Sequence, residues 1–378
     1  MKKVNFEKIK TIDDLGDIKG KKVLLRLSLN VPVEKGHVVD PFRIEMAIPT
    51  IMELRDKGAK VILLSHIGRD PKETLEPIMR YLQDTLPVVF IRDIFSNNVQ
   101  KMIDYAAPGS VIIFENLRRH EGEEKNDPEF AKHLASFGDI YINDSFPECH
   151  RKHASIVGIP ELLPSFAGRQ LIQEITNLSK SFNPEHPFLF ILGGAKVETK
   201  LPLINNFLDN ADNIFIGGIL ANDFLKTMNL QTGKSALSNQ TVPKELLDNK
   251  KIILPSDIVV DRNGKKENIP HDAVLENDKI FDIGRKSVET VCDLIKKAKF
   301  ILWNGPVGFC EGGFCEGTEI IANAIVESKA VSIVGGGDTL ASVSDEVQAK
   351  MTFISTGGGA MLDYLANGNI PGVEALER

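Results

Sequence analysis

The chain has 378 residues, 42% of them hydrophobic and 26% charged, with a formal net charge of −7. That length suggests two domains with sizeable cores, and a composition near the globular average excludes disorder, collagen and coiled coil. The acidic balance argues against a general binder of nucleic acid or acidic membrane, but leaves room for a local basic site.

In chain order, short β-branched runs alternate with longer amphipathic stretches. The runs at 21–29, 59–66, 87–91, 110–116 and 139–146 have the continuous apolar character of strands covered on both faces. Between them, 43–58 and 127–138 place apolar residues at helical spacing and end at glycine. After a polar, amphipathic stretch at 168–187, the pattern restarts with strand candidates at 188–194, 213–219, 251–260, 299–305, 330–337 and 351–359. Such alternation predicts right-handed βαβ units. The expected fold is α/β: two doubly wound, mostly parallel, Rossmann-like domains joined by an inter-domain helix near 165–185.

Cys149, Cys292, Cys310 and Cys315 form no CxxC pair and read as small buried apolar residues. The N-terminus lacks the apolar core of a secretory signal, and no apolar run reaches the roughly 18–20 residues of a membrane helix. A cytoplasmic protein is expected.

Polarity collects at the ends of the strands, where doubly wound sheets bind ligands. First-half strands end in Arg26, in Ser65 to Arg69, in Arg118-Arg119-His120 and in His150 to His153; six of the eight histidines precede residue 160. Second-half strands end in glycines: Gly193-Gly194, Gly217-Gly218, Gly335 to Gly337 and Gly357 to Gly359. The first half therefore looks built to hold a small anion with guanidinium forks, the second to let backbone approach phosphates. No GxxxxGK[ST] is present, no GxGxxG follows the first strand, and the HRD and DFG elements of protein kinases are missing. Phosphate chemistry here needs another architecture.

The segments Arg26 to Pro32, Ser65 to Arg69, Glu115 to Arg118, His150 to His153, Leu192 to Val197, Trp303 to Gly308, Gly335 to Thr339 and Ser355 to Gly359, in that order and spacing, resemble the phosphoglycerate kinase family over nearly the whole chain. The resemblance implies reversible phosphoryl transfer between 1,3-bisphosphoglycerate with ADP and 3-phosphoglycerate with MgATP. It implies an acid-binding domain over 1–165, with a tail near 366–378 returning to it, and a nucleotide-binding domain over 166–365. It assigns Ser28, Asn30, Arg43, His66, Arg69, Arg118 and Arg151 to the acid. It assigns Gly194, Lys196, Lys200, Gly218, Asn304, Pro306, Glu311, Gly335, Gly336, Gly337, Asp338 and Thr339 to the nucleotide, with Asp338 holding Mg²⁺ and Glu311 meeting the ribose. Arg43, Lys200, Gly357, Gly358 and Gly359 would stabilise the transferring group. Hinge closure around 165–185, a monomeric state and partners limited to these small molecules are implied with it.

The chain departs from the family pattern in places. Ser28 stands where that pattern has a substrate-binding aspartate, Arg119 where phenylalanine is usual, and Pro147 in place of a glycine. Ile219 replaces a third glycine after Gly217-Gly218, and Cys310 a phenylalanine before Glu311. Two alternatives stay open on these residues: a related acyl-phosphate kinase for another small acid, and a non-catalytic binding protein on the same fold.

Overall fold

The structure, a computed structural model, describes residues 3–195, 197–238, 240–262 and 264–377. It divides into two compact units, one running to Thr176 and again from Asn367, the other Asn177–Ala366.

The first unit contains β1 (Lys22–Leu27), the hairpin β2 (Val33–Glu34) and β3 (His37–Val38), then β4 (Lys60–Leu64), β5 (Val88–Ile91), β6 (Val111–Phe114), β7 (Ile140–Asp144) and β8 (Ser165–Ala167). Six of these make one parallel sheet in the order β5-β6-β4-β1-β7-β8. The apolar residues of β1, β4, β6 and β7 are buried along almost their whole length, which is why their sequences run apolar without alternating. The helices begin and end where local chemistry dictates. Asp127 caps Pro128–Ala135 by accepting from the Phe130 amide at 2.8 Å. Asp144, the last residue of β7, accepts from the Gln170 and Leu171 amides at 2.7 and 3.0 Å and so caps the helix Arg169–Ser179, within which the division between units falls.

The second unit contains β9 (Phe188–Leu192), β10 (Asn213–Ile216), β11 (Ile252–Ile253), β12 (Asp257–Arg262), β13 (Lys265–Pro270), β14 (Lys279–Ile283), β15 (Phe300–Asn304), β16 (Val331–Gly335) and β17 (Phe353–Ser355). The main sheet is again parallel, in the order β11-β10-β9-β15-β16-β17. A separate antiparallel sheet, β13-β12-β14, lies outside the sequence expectation. The run at 251–260, read as one strand, is two: β11 belongs to the parallel sheet and β12 to the antiparallel one, the chain leaving the first at Leu254-Pro255-Ser256. Proline has no N–H to donate to a ladder, so a central strand does not continue through it.

In each sheet the strand order reverses at one place. In the first unit this lies between β1 and β7, in the second between β9 and β15. Loops leaving the carboxyl ends on either side of such a reversal diverge and leave a crevice.

Candidate active site

At the first crevice, β1 leads into Ser28 and Asn30, and β7 into the turn Phe146–Glu148 followed by His150 and Arg151. Arg26 is the framework. It is fully buried, donating to Ser155 Oγ at 2.9 Å, Ser145 Oγ at 3.3 Å, the Leu27 carbonyl and His66 Nδ1 at 3.2 Å. Because a guanidinium only donates, the last bond fixes the neutral His66 tautomer with its proton on Nε2.

Asn116 shapes the loop after β4. Its amide donates to the Ile67 and Glu73 carbonyls at 3.0 Å each, and its oxygen accepts from the Ile67 and Arg118 amides at 3.3 and 3.1 Å. Asn30 Oδ1 accepts from the Gly68 amide at 2.9 Å, and the Asn30 carbonyl accepts from Arg43 Nη1 at 3.3 Å. Arg118 donates to the Gly68 carbonyl and pairs with Glu124 at 3.0 Å. Arg69 and Arg151 are exposed, with Arg151 Nε 3.3 Å from His150 Nε2.

The cluster is electropositive. Burial, then Arg26, Arg118 and Arg151, push the His66 imidazole far below its ordinary range. His153 is lowered to about 4, by burial and then by Arg26, Arg151 and Arg118. The Arg118 guanidinium is itself lowered by burial and by Arg151. Cations this close repel one another, and an anion entering among them offsets that cost.

At the second crevice the loops after β9, β10 and β15 interlock through backbone. The Gly193 amide donates to Asn304 O at 3.0 Å, Gly194 to Pro306 O at 2.7 Å, and Gly218 to Val307 O at 3.0 Å. Gly218 has φ +60, and a Cβ there would lie 2.5 Å from the Gly194 nitrogen. Trp303, wholly buried, donates from its indole to Gly305 O at 2.9 Å and sets the bend that follows β15. Beside these loops is a cavity of about 900 Å³. Ile219, Val307 and Phe309 give it an apolar wall, and Glu311, Lys234 and Asp338 add charged groups.

Of the nucleotide residues expected from sequence, Gly194, Gly218, Pro306, Glu311 and Asp338 line this cavity, as does the substituted Ile219. Others are clamps between strand ends. Lys200, buried, donates to the Gly193 and Asn304 carbonyls. Asn304 Nδ2 donates to Gly335 O at 3.1 Å. Thr339 Oγ1 accepts from the Gly305 amide at 2.8 Å and donates to Gly335 O at 3.1 Å. Gly336, with φ +103, leads into the helix Gly337–Ala341, and a Cβ at Gly337 would meet nothing within 4 Å. Gly357, whose amide donates to Ser355 Oγ at 3.2 Å, and Gly358 precede the helix Gly359–Asn367, and the space beside Gly358 is likewise open. Lys196 lies outside the described residues.

The cysteine expectation fails at one pair. Cys149 is buried and Cys292 is a free but only half-buried thiol, whereas Cys310 and Cys315 are half-buried and joined in a disulfide that brackets Glu311 on the cavity wall. Sequence reasoning also passed over two carboxylates. Asp282 lines the cavity, is raised to about 6 by burial, and accepts from the Gly317 and Ile283 amides at 3.1 and 2.8 Å. Glu148 sits among the cations of the first crevice; an acidic residue two places before His150-Arg151 was the available signal.

Two parallel α/β units, one with cations at its strand ends and one with a glycine-edged cavity, fit a class: the phosphotransferases that pass a phosphoryl group between a nucleotide and a small anion. A family model described as Phosphoglycerate kinase matches residues 12–368. A phosphoglycerate kinase of Chelativorans sp. is 42% identical over 98% of this chain and 99% of its own, and one of Methylorubrum extorquens is 43% identical over 97% and 98%. The solved phosphoglycerate kinase of Coxiella burnetii superposes with a TM-score of 0.85 at 35% identity, covering 97% of this chain and 98% of that one. The chain belongs to the phosphoglycerate kinase family. It is an enzyme, a phosphotransferase of glycolysis. Among the described residues, no helix is long and apolar enough to cross a membrane.

Proposed function

We propose that the first unit holds 3-phosphoglycerate or 1,3-bisphosphoglycerate, that the second holds ADP or ATP, and that the phosphoryl group passes in line between them. The cation cluster around His66 carries the reading. A carboxylate and a phosphate each accept two parallel bonds from a guanidinium. Asn30, Arg43, His66, Arg69, Arg118 and Arg151 are assigned to these groups, with neutral His66 donating through Nε2.

In the second unit the apolar wall of the cavity suits a base, and Glu311 is assigned to the ribose hydroxyls. The amides of Gly336, Gly337 and Gly357 to Gly359 are assigned to phosphate oxygens. The metal is taken to be Mg²⁺, with Asp338, an exposed carboxylate beside the cavity, as the residue that holds it together with the nucleotide's own phosphates. When bound, it neutralises charge on the phosphate oxygens.

The leaving carboxylate and the attacking diphosphate are both anions at neutral pH, so the step moves no proton and needs no general base. What it needs is alignment and compensation of charge on the equatorial oxygens. Arg43 supplies this from the acid side. Lys200, exchanging one carbonyl for a phosphate oxygen, supplies it from the nucleotide side. Alignment calls for closure around 165–185, which also excludes water from the acyl phosphate. A monomer working in the cytoplasm completes the proposal.

A coupled assay with 3-phosphoglycerate and MgATP tests it. Turnover is expected, with Arg43→Ala and Lys200→Ala each lowering kcat about a hundred- to a thousand-fold. Folded protein that turns over neither direction refutes the reading.

A further inference from the structure

Glu148, in the first crevice, is a carboxylate whose partners are not cations. Glu148, only 4% exposed, is met by two hydroxyls and a neutral ring. Ser28 Oγ donates to Oε1 at 3.3 Å, Ser145 Oγ donates to Oε2, and His66 Nε2 lies 3.9 Å from Oε1. The simplest account would make Glu148 a counter-ion for the nearby guanidiniums. Yet Arg118 is paired with Glu124 at 3.0 Å, and Arg26 directs its donors to Ser155, Ser145, the Leu27 carbonyl and His66.

A glycerate phosphate carries a third group besides its carboxylate and phosphate, a hydroxyl with a proton to donate. Guanidiniums cannot accept that proton. His66 cannot either, because its one lone pair at Nδ1 is taken by Arg26. Ser28 differs. Its own proton points to Glu148, which leaves its oxygen lone pairs as acceptors. Ser28 follows β1 and Glu148 follows β7, the two strands that flank the reversal of the sheet.

We infer that Ser28 accepts the hydrogen bond of the substrate's hydroxyl and that Glu148 is the positioning residue that fixes the Ser28 proton, so that the pair replaces the aspartate missing at position 28. The inference rests on the acid-site reading given above. It makes the serine a functional acceptor rather than a weakened one, because the charge has moved to the neighbouring strand end.

The test compares kcat/KM for 3-phosphoglycerate with that for 3-phosphopropionate, the analogue lacking the hydroxyl. The wild type is expected to prefer the hydroxy acid about two- to ten-fold, the range of a hydrogen bond to a neutral acceptor. Glu148→Gln and Ser28→Ala should each remove most of that preference, and together no more than either alone, since the two act as one unit. The pair Ser28→Asp with Glu148→Gln, which returns the carboxylate to position 28, should restore it. Ser28→Ala leaves the buried carboxylate intact, so it reads the same ratio if Glu148→Gln fails to fold. Equal losses on both acids, or a ratio that no variant moves, overturn the inference alone. A folded wild type that turns over neither acid removes the reading beneath it.

Discussion

The glycines of the second unit sort into two kinds, and one pair of substitutions separates them. Gly218 has φ +60, and its Cβ would lie 2.5 Å from the Gly194 nitrogen and 3.0 Å from the Gly194 oxygen, both backbone atoms that no rotamer can move. Gly218→Ala therefore meets two costs. The left-handed backbone costs about 1–2 kcal/mol for a residue with a Cβ. Relieving the overlap costs about 1–3 kcal/mol more. Together these give roughly 2–5 kcal/mol, a fall in Tm of about 4–20 °C for a unit of this size. Gly337 has ordinary φ, opens the helix Gly337–Ala341, and has no neighbour within 4 Å of the point where a methyl would stand. Gly337→Ala should leave stability unchanged or raise it by up to about 1 kcal/mol. If its open face receives a phosphate, the same methyl raises the nucleotide KM roughly ten-fold or more, the loss of one charge-assisted hydrogen bond. The single tryptophan, Trp303, is buried in this unit, so urea titration followed by its fluorescence reads the first quantity and a coupled assay with varied ATP reads the second. A Gly218→Ala midpoint equal to wild type refutes the interlocked-loop account. An unchanged KM in Gly337→Ala refutes the phosphate assignment.

His153 is held near pKa 4 in the fold, against about 6.5 when unfolded. The unfolded chain binds the extra proton between those values, so stability is full above pH 6.5 and declines as pH falls toward 4. At pH 5 the penalty from this group reaches about 2 kcal/mol. Urea unfolding at pH 7 and pH 5 should show His153→Asn losing that much less than wild type, and equal losses contradict the assignment. Asn116→Ala deprives four backbone groups of their partner, should cost about 1–3 kcal/mol, and should raise KM for the acid while leaving KM for nucleotide alone; a rise in both contradicts the local role. Reducing the Cys310–Cys315 bond opens a loop with a sequence separation of 5 and should cost about 2 kcal/mol, with Cys315→Ala matching it. A urea midpoint unmoved when both thiols titrate as free counts against that magnitude.

Most strands of the two parallel sheets were legible because strands covered on both faces run mostly apolar without alternating, as β1, β4, β7, β9 and β15 do apart from polar residues at their ends and the buried Arg26. The antiparallel sheet was not. The burial of β13 alternates between exposed and half-buried, and its sequence, Lys265 to Pro270, carries only Ile269 and Pro270 as apolar residues, too little for a periodic signal. The strand-end motifs were legible as motifs, but the duties within them were not. The family resemblance assigns Asn304 and Thr339 to the nucleotide; in three dimensions their side chains tie the end of β15 to the end of β16. Short polar side chains at strand ends serve loop and ligand with the same hydrogen bonds, and residue type does not separate the two. The disulfide was hidden for a related reason: a separation of five residues has no fixed reading until the turn Cys310–Gly312 and the left-handed Gly313 fold the chain back.

Position 28 shows most plainly where a linear reading stops. Along the chain, serine in place of aspartate is a loss, since a neutral acceptor binds a hydroxyl more weakly than a carboxylate. Across the sheet, β1 and β7 are adjacent and parallel, with Leu27 level with Asp144, so residues about 120 apart leave their strands side by side. A carboxylate at the end of either strand can serve the same point in space. Glu148 differs from an aspartate at 28 in acting through a hydroxyl, which adds a bond whose direction must be fixed, and Ser145 fixes it from the other carboxylate oxygen. Ser28, Ser145 and Glu148 therefore form one unit, and a change at any of them should register in the discrimination between acids before it registers in the affinity for nucleotide. Acceptor strength at a parallel-sheet crevice belongs to the pair of strand ends, and either strand's sequence read alone understates it.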